Sequence, residues 1–207
     1  VGEDDFDDAL ADVVRAGRGA DVILLQNEIF PACWTAHGVM DPTVMMVWTN
    51  RKKGVPLVGG PTRVFGPGSA LVADLHVALD IPCEVLPSRG AFHTELCAKY
   101  AFIVAVNALG TAQARTLGEW MAVEPQRVSS ILHDAVALAA ARVGAPGDAP
   151  VNTETALRHA HDAMVALGPI PTRGRTAGPR MKRAAEAARH HRVDVPALRD
   201  LLPSVFG

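Results

Sequence analysis

The sequence predicts an α/β half followed by an all-helical half. Two observations predict this fold class. The first ninety residues contain short apolar runs separated by Gly and Pro, which is typical of strands and turns. From residue 91 onward Gly and Pro become rarer, and longer segments with helical periodicity follow. We therefore expect two domains, residues 1–90 and residues 91–207, with the boundary near residues 87–91.

The elements of the first half follow from its apolar pattern. A helix over 6–16 precedes a continuous apolar run over 22–25, which is typical of a strand buried on both faces in an α/β sheet. The turn over 51–54 is basic. The remaining predicted elements are strands over 43–49, 55–58, 62–65 and 83–86, and a helix over 69–79.

The second half begins with the most apolar segment of the chain. Residues 92–109 are apolar almost all round, so the sequence predicts a buried helix. A Gly- and Pro-rich loop over 144–150 interrupts the helical part. The other predicted helices cover 116–122, 126–143, 153–167, 177–192 and 196–202.

Composition excludes several classes of protein. The chain has 207 residues, of which 49% are hydrophobic and 20% are charged, so it can build a core and is not a disordered chain. Its formal net charge of −2 gives no general attraction to nucleic acid. No apolar run reaches the roughly 18 residues of a membrane span. We expect a cytoplasmic protein with reduced cysteines that binds neither nucleic acid nor membrane.

The N-terminus is acidic and lacks an initiating Met. It is therefore no signal peptide. We expect the chain to begin inside a longer protein.

The first candidate site follows the predicted strand over 22–25. Gln26 and Asn27 stand at its carboxyl end, which is where open α/β sheets bind ligands. An amide there can hold a nicotinamide ribose or a substrate oxygen. Alternatively, Asn27 is a turn residue, which Asn favours for its own conformational reasons.

The second candidate site is Lys99 with Asn107. Both lie in the predicted buried helix. Burial lowers the pKa of a lysine, which suits a proton donor. Eight residues correspond to roughly 12 Å along a helix, and the two side chains are offset by roughly 80°, so both can border one cleft. Alternatively, Lys99 extends to solvent and Asn107 caps a break before Gly110.

The third candidate site lies before the predicted helix over 177–192. Thr176 can cap this helix, and Arg175 and Arg180 can form an anion site with its free N–H groups. Alternatively, the segment is a solvated basic helix entry. His159 and His161 lie two residues apart and face different ways on a helix, so we interpret both as structural and expect no metal site.

Three segments together resemble one enzyme family. Residues 24–27 resemble the Leu-Leu-Gln-Asn-Gly stretch of ketopantoate reductases. Residues 95–99, followed by Asn107, resemble the start of that family's Glu-Leu-x-x-Lys helix. Residues 193–196 resemble its C-terminal Ile-x-Val-Pro signature. The resemblance covers most of the chain, from about residue 22 to residue 202.

This resemblance implies a fold and an activity. It implies that residues 1–90 are the C-terminal part of a Rossmann-type NAD(P)-binding domain lacking the phosphate-binding first strand and helix. Residues 91–207 would be a helical substrate and dimerisation domain of the 6-phosphogluconate-dehydrogenase type. The implied activity is reduction of a small 2-oxo acid, or a related carbonyl compound, by NADPH or NADH. The resemblance is also compatible with a homodimer.

The same resemblance implies roles for named residues. Lys99 is the general acid toward the carbonyl oxygen. Gln26, Asn27 and Asn107 orient cofactor and substrate.

The chain differs from the family at three positions. Ile103 stands where the family has a second Asn, and Glu28 follows Asn27 where the family has Gly. Residues 174–179 lack the expected carboxylate. These features are closer to an uncharacterised, reductase-like subfamily, in which Arg175 or Arg180 would hold a substrate carboxylate directly. The alternative is a non-catalytic relative whose helical domain serves dimerisation or scaffolding.

Overall fold

The structure is a computed structural model that describes residues 6–25, 28, 30–52, 55–143, 150–172 and 176–207. Within these ranges it is a mixed α/β fold with a small four-stranded mixed sheet, a separate two-stranded hairpin and a larger group of helices. The order of an α/β half before a helical half, as predicted, is confirmed. No helix in the described ranges combines the length and apolarity that a membrane crossing requires.

The first part of the chain contains all six described strands. Its elements are α1 (Phe6–Arg15), a 3₁₀ turn (Gly19–Asp21), β1 (Ile23–Leu25), α2 (Pro31–Thr35), β2 (Thr43–Met46), β3 (Thr49–Lys52), β4 (Val55–Val58), β5 (Thr62–Phe65), α3 (Ser69–Ala78) and β6 (Cys83–Val85). The sheet order is β1-β2-β5-β6. The pairs β1–β2 and β5–β6 are parallel, whereas β2–β5 is antiparallel.

Strand β1 is less buried than the sequence predicts. Leu24 is buried, but Ile23 and Leu25 are 46% and 59% exposed. Successive side chains of a strand point to opposite faces, so one face of β1 packs on the core and the other faces solvent. The expectation of burial on both faces is wrong, because an apolar run does not reveal whether anything covers its second face.

The strand predicted over 43–49 is two strands. β2 ends at Met46 and β3 begins at Thr49, with Val47 and Trp48 between them. The backbone here serves other partners: the Val47 carbonyl accepts a hydrogen bond from Lys99, and the Trp48 carbonyl accepts one from the backbone of Gly59. β3 continues through Lys52 in an antiparallel pair with β4, so the predicted basic turn is partly strand.

The second part of the chain is helical. Its elements are α4 (Arg89–Ala112), α5 (Leu117–Val123), α6 (Pro125–Val143), α7 (Thr153–Ala166), α8 (Ala177–His191), α9 (Pro196–Leu201) and α10 (Pro203–Phe206). Helix α4 packs against α6, α7 and α8. Every residue from Phe92 to Gly110 is buried, which confirms the predicted buried helix. The apolar core is continuous from the sheet through α4 to the outer helices.

Local polar contacts explain where two helices begin. The Ser88 hydroxyl accepts a hydrogen bond from the Ala91 backbone, so α4 starts at Arg89, earlier than the apolar pattern alone predicts. Thr116 and Glu119 form a reciprocal capping box at the start of α5.

Candidate functional site

Lys99 is buried in the middle of the fold. The residue is only 7% exposed. Its Nζ donates a hydrogen bond of 2.6 Å to the Val47 carbonyl. The same nitrogen lies 4.6 Å from the centre of the Trp48 ring and 5.7 Å from that of Phe102, within the range of cation–π attraction. The interpretation of Lys99 as a solvent-exposed helix residue is therefore wrong.

The surroundings of Lys99 tune its acidity. Burial in apolar surroundings is the main cause that lowers the pKa of Lys99 from 10.5 to about 8. The positive charge of Arg180 lowers it further, whereas the negative charge of Glu95 opposes the shift. Two residues predicted from separate segments, Lys99 and Arg180, are thus brought within electrostatic range of each other. An ammonium with a pKa near 8 is mostly protonated at neutral pH and gives up its proton readily.

Glu95, one turn before Lys99, is the centre of a buried polar cluster. One oxygen, Oε1, accepts hydrogen bonds of 2.6 Å from Trp48 Nε1 and 2.9 Å from Arg63 Nη1. The other, Oε2, lies 2.9 Å from His159 Nδ1. Burial alone would raise the pKa of Glu95, but hydrogen bonds and charge from His159 and Arg63 outweigh it and hold that pKa below 4.5. We call Glu95, Trp48, Arg63 and His159 the Glu95 cluster.

The Glu95 cluster joins parts of the chain that are far apart in sequence. Arg63 lies on β5, Glu95 on α4 and His159 on α7. Since the cluster fixes the Trp48 ring, it also fixes one wall of the Lys99 environment. The expectation that His159 is structural agrees with this contact. A carboxylate within the most apolar helix of the chain indicates a buried polar site, whereas the resemblance to the enzyme family involves Glu95 only as part of a motif.

Glu28 is the second buried carboxylate of the site. It is 8% exposed and accepts a hydrogen bond of 3.2 Å from Arg183 Nη2. Arg180 Nε lies 2.6 Å from Oε1, yet neither atom has a hydrogen bond of acceptable direction there. We therefore treat the Arg180 contact as a close ion pair rather than an aligned hydrogen bond. Burial raises the pKa of Glu28, and the charges of Arg180 and Arg142 oppose that effect.

The structure places Arg180 differently from the predicted anion site. Arg180 is in the first turn of α8 and faces Glu28. Thr176 precedes that helix, but its side chain makes no capping hydrogen bond, so the predicted cap is wrong. A Thr with φ −98° and ψ 7° lacks the extended backbone that a capping side chain normally needs. Arg175 lies outside the described residues.

The other predicted site residues are only partly described. Gln26 and Asn27 lie outside the described residues. Asn107 is buried, and its Nδ2 donates a hydrogen bond of 2.7 Å to the Ile103 carbonyl of the same helix. Since α4 continues to Ala112, Asn107 does not cap a helix break. A role for Asn107 in substrate orientation stays a prediction.

Two described residues that follow β1, Glu28 and Phe30, contact the helical part of the fold. Phe30, just beyond β1, packs edge-on against Tyr100 with ring centres 5.1 Å apart. Tyr100 is adjacent to Lys99 on α4, and Glu28 contacts α8 through Arg180. Glu28 and Phe30 therefore contact α8 and α4, and Phe30 lies next to the part of α4 that bears Lys99.

Comparisons with known proteins place the chain in no group. No family model, no curated protein and no solved structure matches it.

Proposed function

We propose that the natural protein carrying this chain reduces a small 2-oxo acid or related carbonyl compound with NADPH or NADH. The observation that carries the proposal is the buried Lys99 ammonium, which donates a hydrogen bond to the Val47 carbonyl, has its pKa lowered to about 8 and lies within electrostatic range of Arg180. Perturbed, buried titratable groups of this kind are characteristic of functional sites. The partial Rossmann sheet and the 6-phosphogluconate-dehydrogenase-like helical domain are part of the same proposal.

Lys99 supplies the proton of the reaction. Reduction of a 2-oxo acid requires one hydride at the carbonyl carbon and one proton at the carbonyl oxygen, and the product is a 2-hydroxy acid. A bound nicotinamide would supply the hydride. Lys99 turns its Nζ from the Val47 carbonyl to the substrate oxygen, stabilises the negative charge that develops there and then transfers its proton. Solvent returns a proton to the neutral amine.

The residues around Lys99 fit this task. Trp48 and Phe102 exclude water from one side of the ammonium, which strengthens its interaction with a developing oxyanion. Arg180 and Arg175 provide positive charge for the substrate carboxylate, and the Thr176 hydroxyl can donate a hydrogen bond to it. Gln26, Asn27 and Asn107 would orient the nicotinamide ribose and the substrate. The contacts of Phe30 with Tyr100 on α4 and of Glu28 with Arg180 on α8 support this arrangement.

The test is oxidation of NADPH and NADH by the natural protein with a panel of 2-oxo acids, followed at 340 nm. Lys99→Met should lower kcat by about 10²-fold or more, the range expected for losing a general acid. Lys182→Met is the matched control, because Lys182 is an exposed lysine on α8. Turnover in Lys99→Met equal to the wild type, or no turnover of any carbonyl substrate by the wild type, contradicts the proposal.

A second candidate is a non-catalytic relative that serves as a dimeric scaffold. The observation that favours it is a set of exposed apolar side chains on α3 and the segment leading through β6, namely Leu71, Leu75, Val77, Leu79, Ile81 and Val85. Exposed apolar patches mark interaction surfaces. They lie on the sheet side of the fold rather than on its helical part. A stable dimer that Leu75→Glu dissociates, in a protein without reductase activity, would favour the scaffold.

A further inference from the structure

Two of the groups around the Lys99 ammonium belong to consecutive residues of the chain. The Lys99 Nζ donates its hydrogen bond to the Val47 carbonyl and lies 4.6 Å from the centre of the Trp48 ring. Both residues lie in the short connection between β2 and β3. Because the Val47 carbonyl belongs to the planar peptide group that leads to Trp48, a displacement of the Trp48 backbone would also turn this carbonyl away from Nζ. The position of Trp48 therefore determines both contacts.

The position of Trp48 is fixed by its side chain as well as by its backbone. The indole has one polar atom, Nε1, which donates a hydrogen bond of 2.6 Å to Glu95 Oε1. The residue is only 2% exposed, so solvent offers no easy substitute for this acceptor. Without the acceptor, a buried N–H donor would be left unpaired, which is costly. Glu95 thus holds the indole in the orientation that presents its face to the Lys99 Nζ.

The Glu95 carboxylate is itself held in place from two sides. Arg63 on β5 donates a hydrogen bond to the same oxygen as Trp48, and His159 on α7 lies 2.9 Å from the other oxygen. Burial raises the pKa of Glu95, but hydrogen bonds and charge from His159 and Arg63 outweigh burial and hold that pKa below 4.5. Glu95 is therefore charged at neutral pH. A charged acceptor polarises the indole N–H and makes the ring face more negative, which strengthens the attraction of the Trp48 ring for a cation.

The charge of Glu95 also favours a protonated Lys99 directly. Burial lowers the pKa of Lys99 to about 8, and the charge of Arg180 on α8 lowers it further. Among the described residues, Glu95 is the group whose charge opposes these two effects. Glu95 therefore acts on Lys99 along two routes, directly through its charge and indirectly through the Trp48 ring. Both routes favour the charged form of the amine.

We propose that Glu95 is a positioning residue, which keeps Lys99 protonated and holds its ammonium at the Val47 carbonyl by fixing Trp48. This role rests on the proposed reductase function only in its consequence for turnover, because a proton donor must carry its proton at the working pH. The protonation of Lys99 itself can be measured without any substrate. A failure of the positioning role and a failure of the reductase function are therefore distinguishable.

Nuclear magnetic resonance of isotope-labelled lysine measures the titration of Lys99. The chain has four lysines, and the signal that is missing in Lys99→Met assigns Lys99. Its ε-carbon signal should titrate with a midpoint near pH 8 in the wild type, and about one pH unit or more lower in Glu95→Gln. Glu84→Gln is the matched control, because Glu84 also pairs with Arg63, whereas the acceptor of the Trp48 indole is Glu95. The midpoint in this control should remain that of the wild type.

Trp48→Phe shows whether Glu95 acts through the indole. Phenylalanine keeps an aromatic ring but has no N–H donor for Glu95, and this variant leaves the pair of Glu95 with Arg63 intact. The midpoint of Lys99 should be lower than in the wild type, and Glu95→Gln should shift it by less in the Trp48→Phe background than in the wild-type background. Equal shifts in the two backgrounds would show that Glu95 acts by charge alone, which overturns the role of Trp48. Circular dichroism checks that each variant is folded.

The pH dependence of turnover connects the positioning role to the reaction. In the natural protein, Glu95→Gln should move the fall of kcat to lower pH by the same amount as the Lys99 midpoint, and Glu84→Gln should not. A shifted midpoint without turnover of any carbonyl substrate would refute the reductase function but support the positioning role. An unshifted midpoint in Glu95→Gln would refute the positioning role even in an active enzyme.

Discussion

Lys99→Met isolates the energetic cost of burying the Lys99 ammonium. Methionine keeps a long apolar side chain but has no charge, so it removes proton binding at this position without leaving a large cavity. Lys99 has a pKa of about 8 in the folded protein and 10.5 as the ordinary value. Between these two pH values the unfolded chain binds more protons than the folded one, so the free energy of unfolding rises with pH.

The size of the effect follows from the two pKa values. A difference of about 2.5 pKa units corresponds to about 3 kcal/mol at 1.36 kcal/mol per unit. This penalty is fully present below pH 8 and is relieved as pH rises toward 10.5. Relative to Lys99→Met, the wild type should therefore gain about 3 kcal/mol of stability between pH 7 and pH 10.5. Other titrating groups are common to both proteins and largely cancel.

Urea unfolding of both proteins at pH 7, 8, 9 and 10 measures this difference. Linear extrapolation gives the free energy of unfolding at each pH, and equal m values show that the two transitions expose the same surface. A stability difference that stays constant over this range would show that Lys99 has an ordinary pKa. The premise of a buried, easily deprotonated ammonium would then be wrong.

Three further predictions concern other parts of the molecule. Glu95→Gln should lower the free energy of unfolding at pH 7 by about 3 kcal/mol, since it removes the buried anionic partner of Arg63 and leaves only the exposed Glu84. Because the folded pKa of Glu95 lies below 4.5, the wild type should lose this advantage as the pH falls below about 4.5. An equal difference at pH 3 and pH 7 in urea unfolding would refute this. Thr116→Ala should lower the free energy of unfolding by about 1 kcal/mol through loss of the α5 capping box. Thr153→Ala is the control variant, and an unchanged Tm of Thr116→Ala in thermal unfolding would contradict this prediction. Thiol labelling at pH 8 should modify Cys33 and Cys83 in the native protein and Cys97 only after denaturation. The reason is that Cys97 is buried, and burial raises the pKa of its thiol to about 12. Rapid labelling of all three thiols in the native protein would contradict the burial of Cys97.

Periodicity in the sequence predicted which segments are buried better than it predicted their partners. The apolar pattern of α4 correctly placed Lys99 and Glu95 in the core. It carries no information on Trp48 or His159, which lie 47 and 64 residues away from Glu95 in the chain. Such long-range polar contacts depend on how helices and strands pack, which a single sequence does not specify.

The same limit applies to the ion pairs of Glu28. The position of Arg180 in the first turn of a helix predicted an anion site, but it did not predict that Arg180 also pairs with a carboxylate of the same chain, Glu28. Glu28 and Arg183 are 155 residues apart, and Arg142 comes from a third element. Only the folded arrangement reveals that three guanidinium groups converge on one carboxylate.

Two strands differ from the sequence prediction, one in where it ends and one in how far it is buried. Strand β2 ends at Met46, and the next carbonyl, that of Val47, accepts a hydrogen bond from Lys99 instead of from a neighbouring strand. Ile23 and Leu25 face solvent although their sequence is as apolar as that of a fully buried strand. Apolar character predicts the presence of a strand, whereas its burial depends on what packs against it.

The pH dependence of kcat tests the role of Lys99 as proton donor most directly. In the natural protein, with saturating cofactor and a 2-oxo acid, kcat should be constant near neutral pH and fall above about pH 8, since the neutral amine has no proton to give. Lys99→Met should lose both the high rate and this descending limb, while Lys182→Met keeps both. A Lys99→Met enzyme with wild-type kcat and the same descending limb would contradict the account.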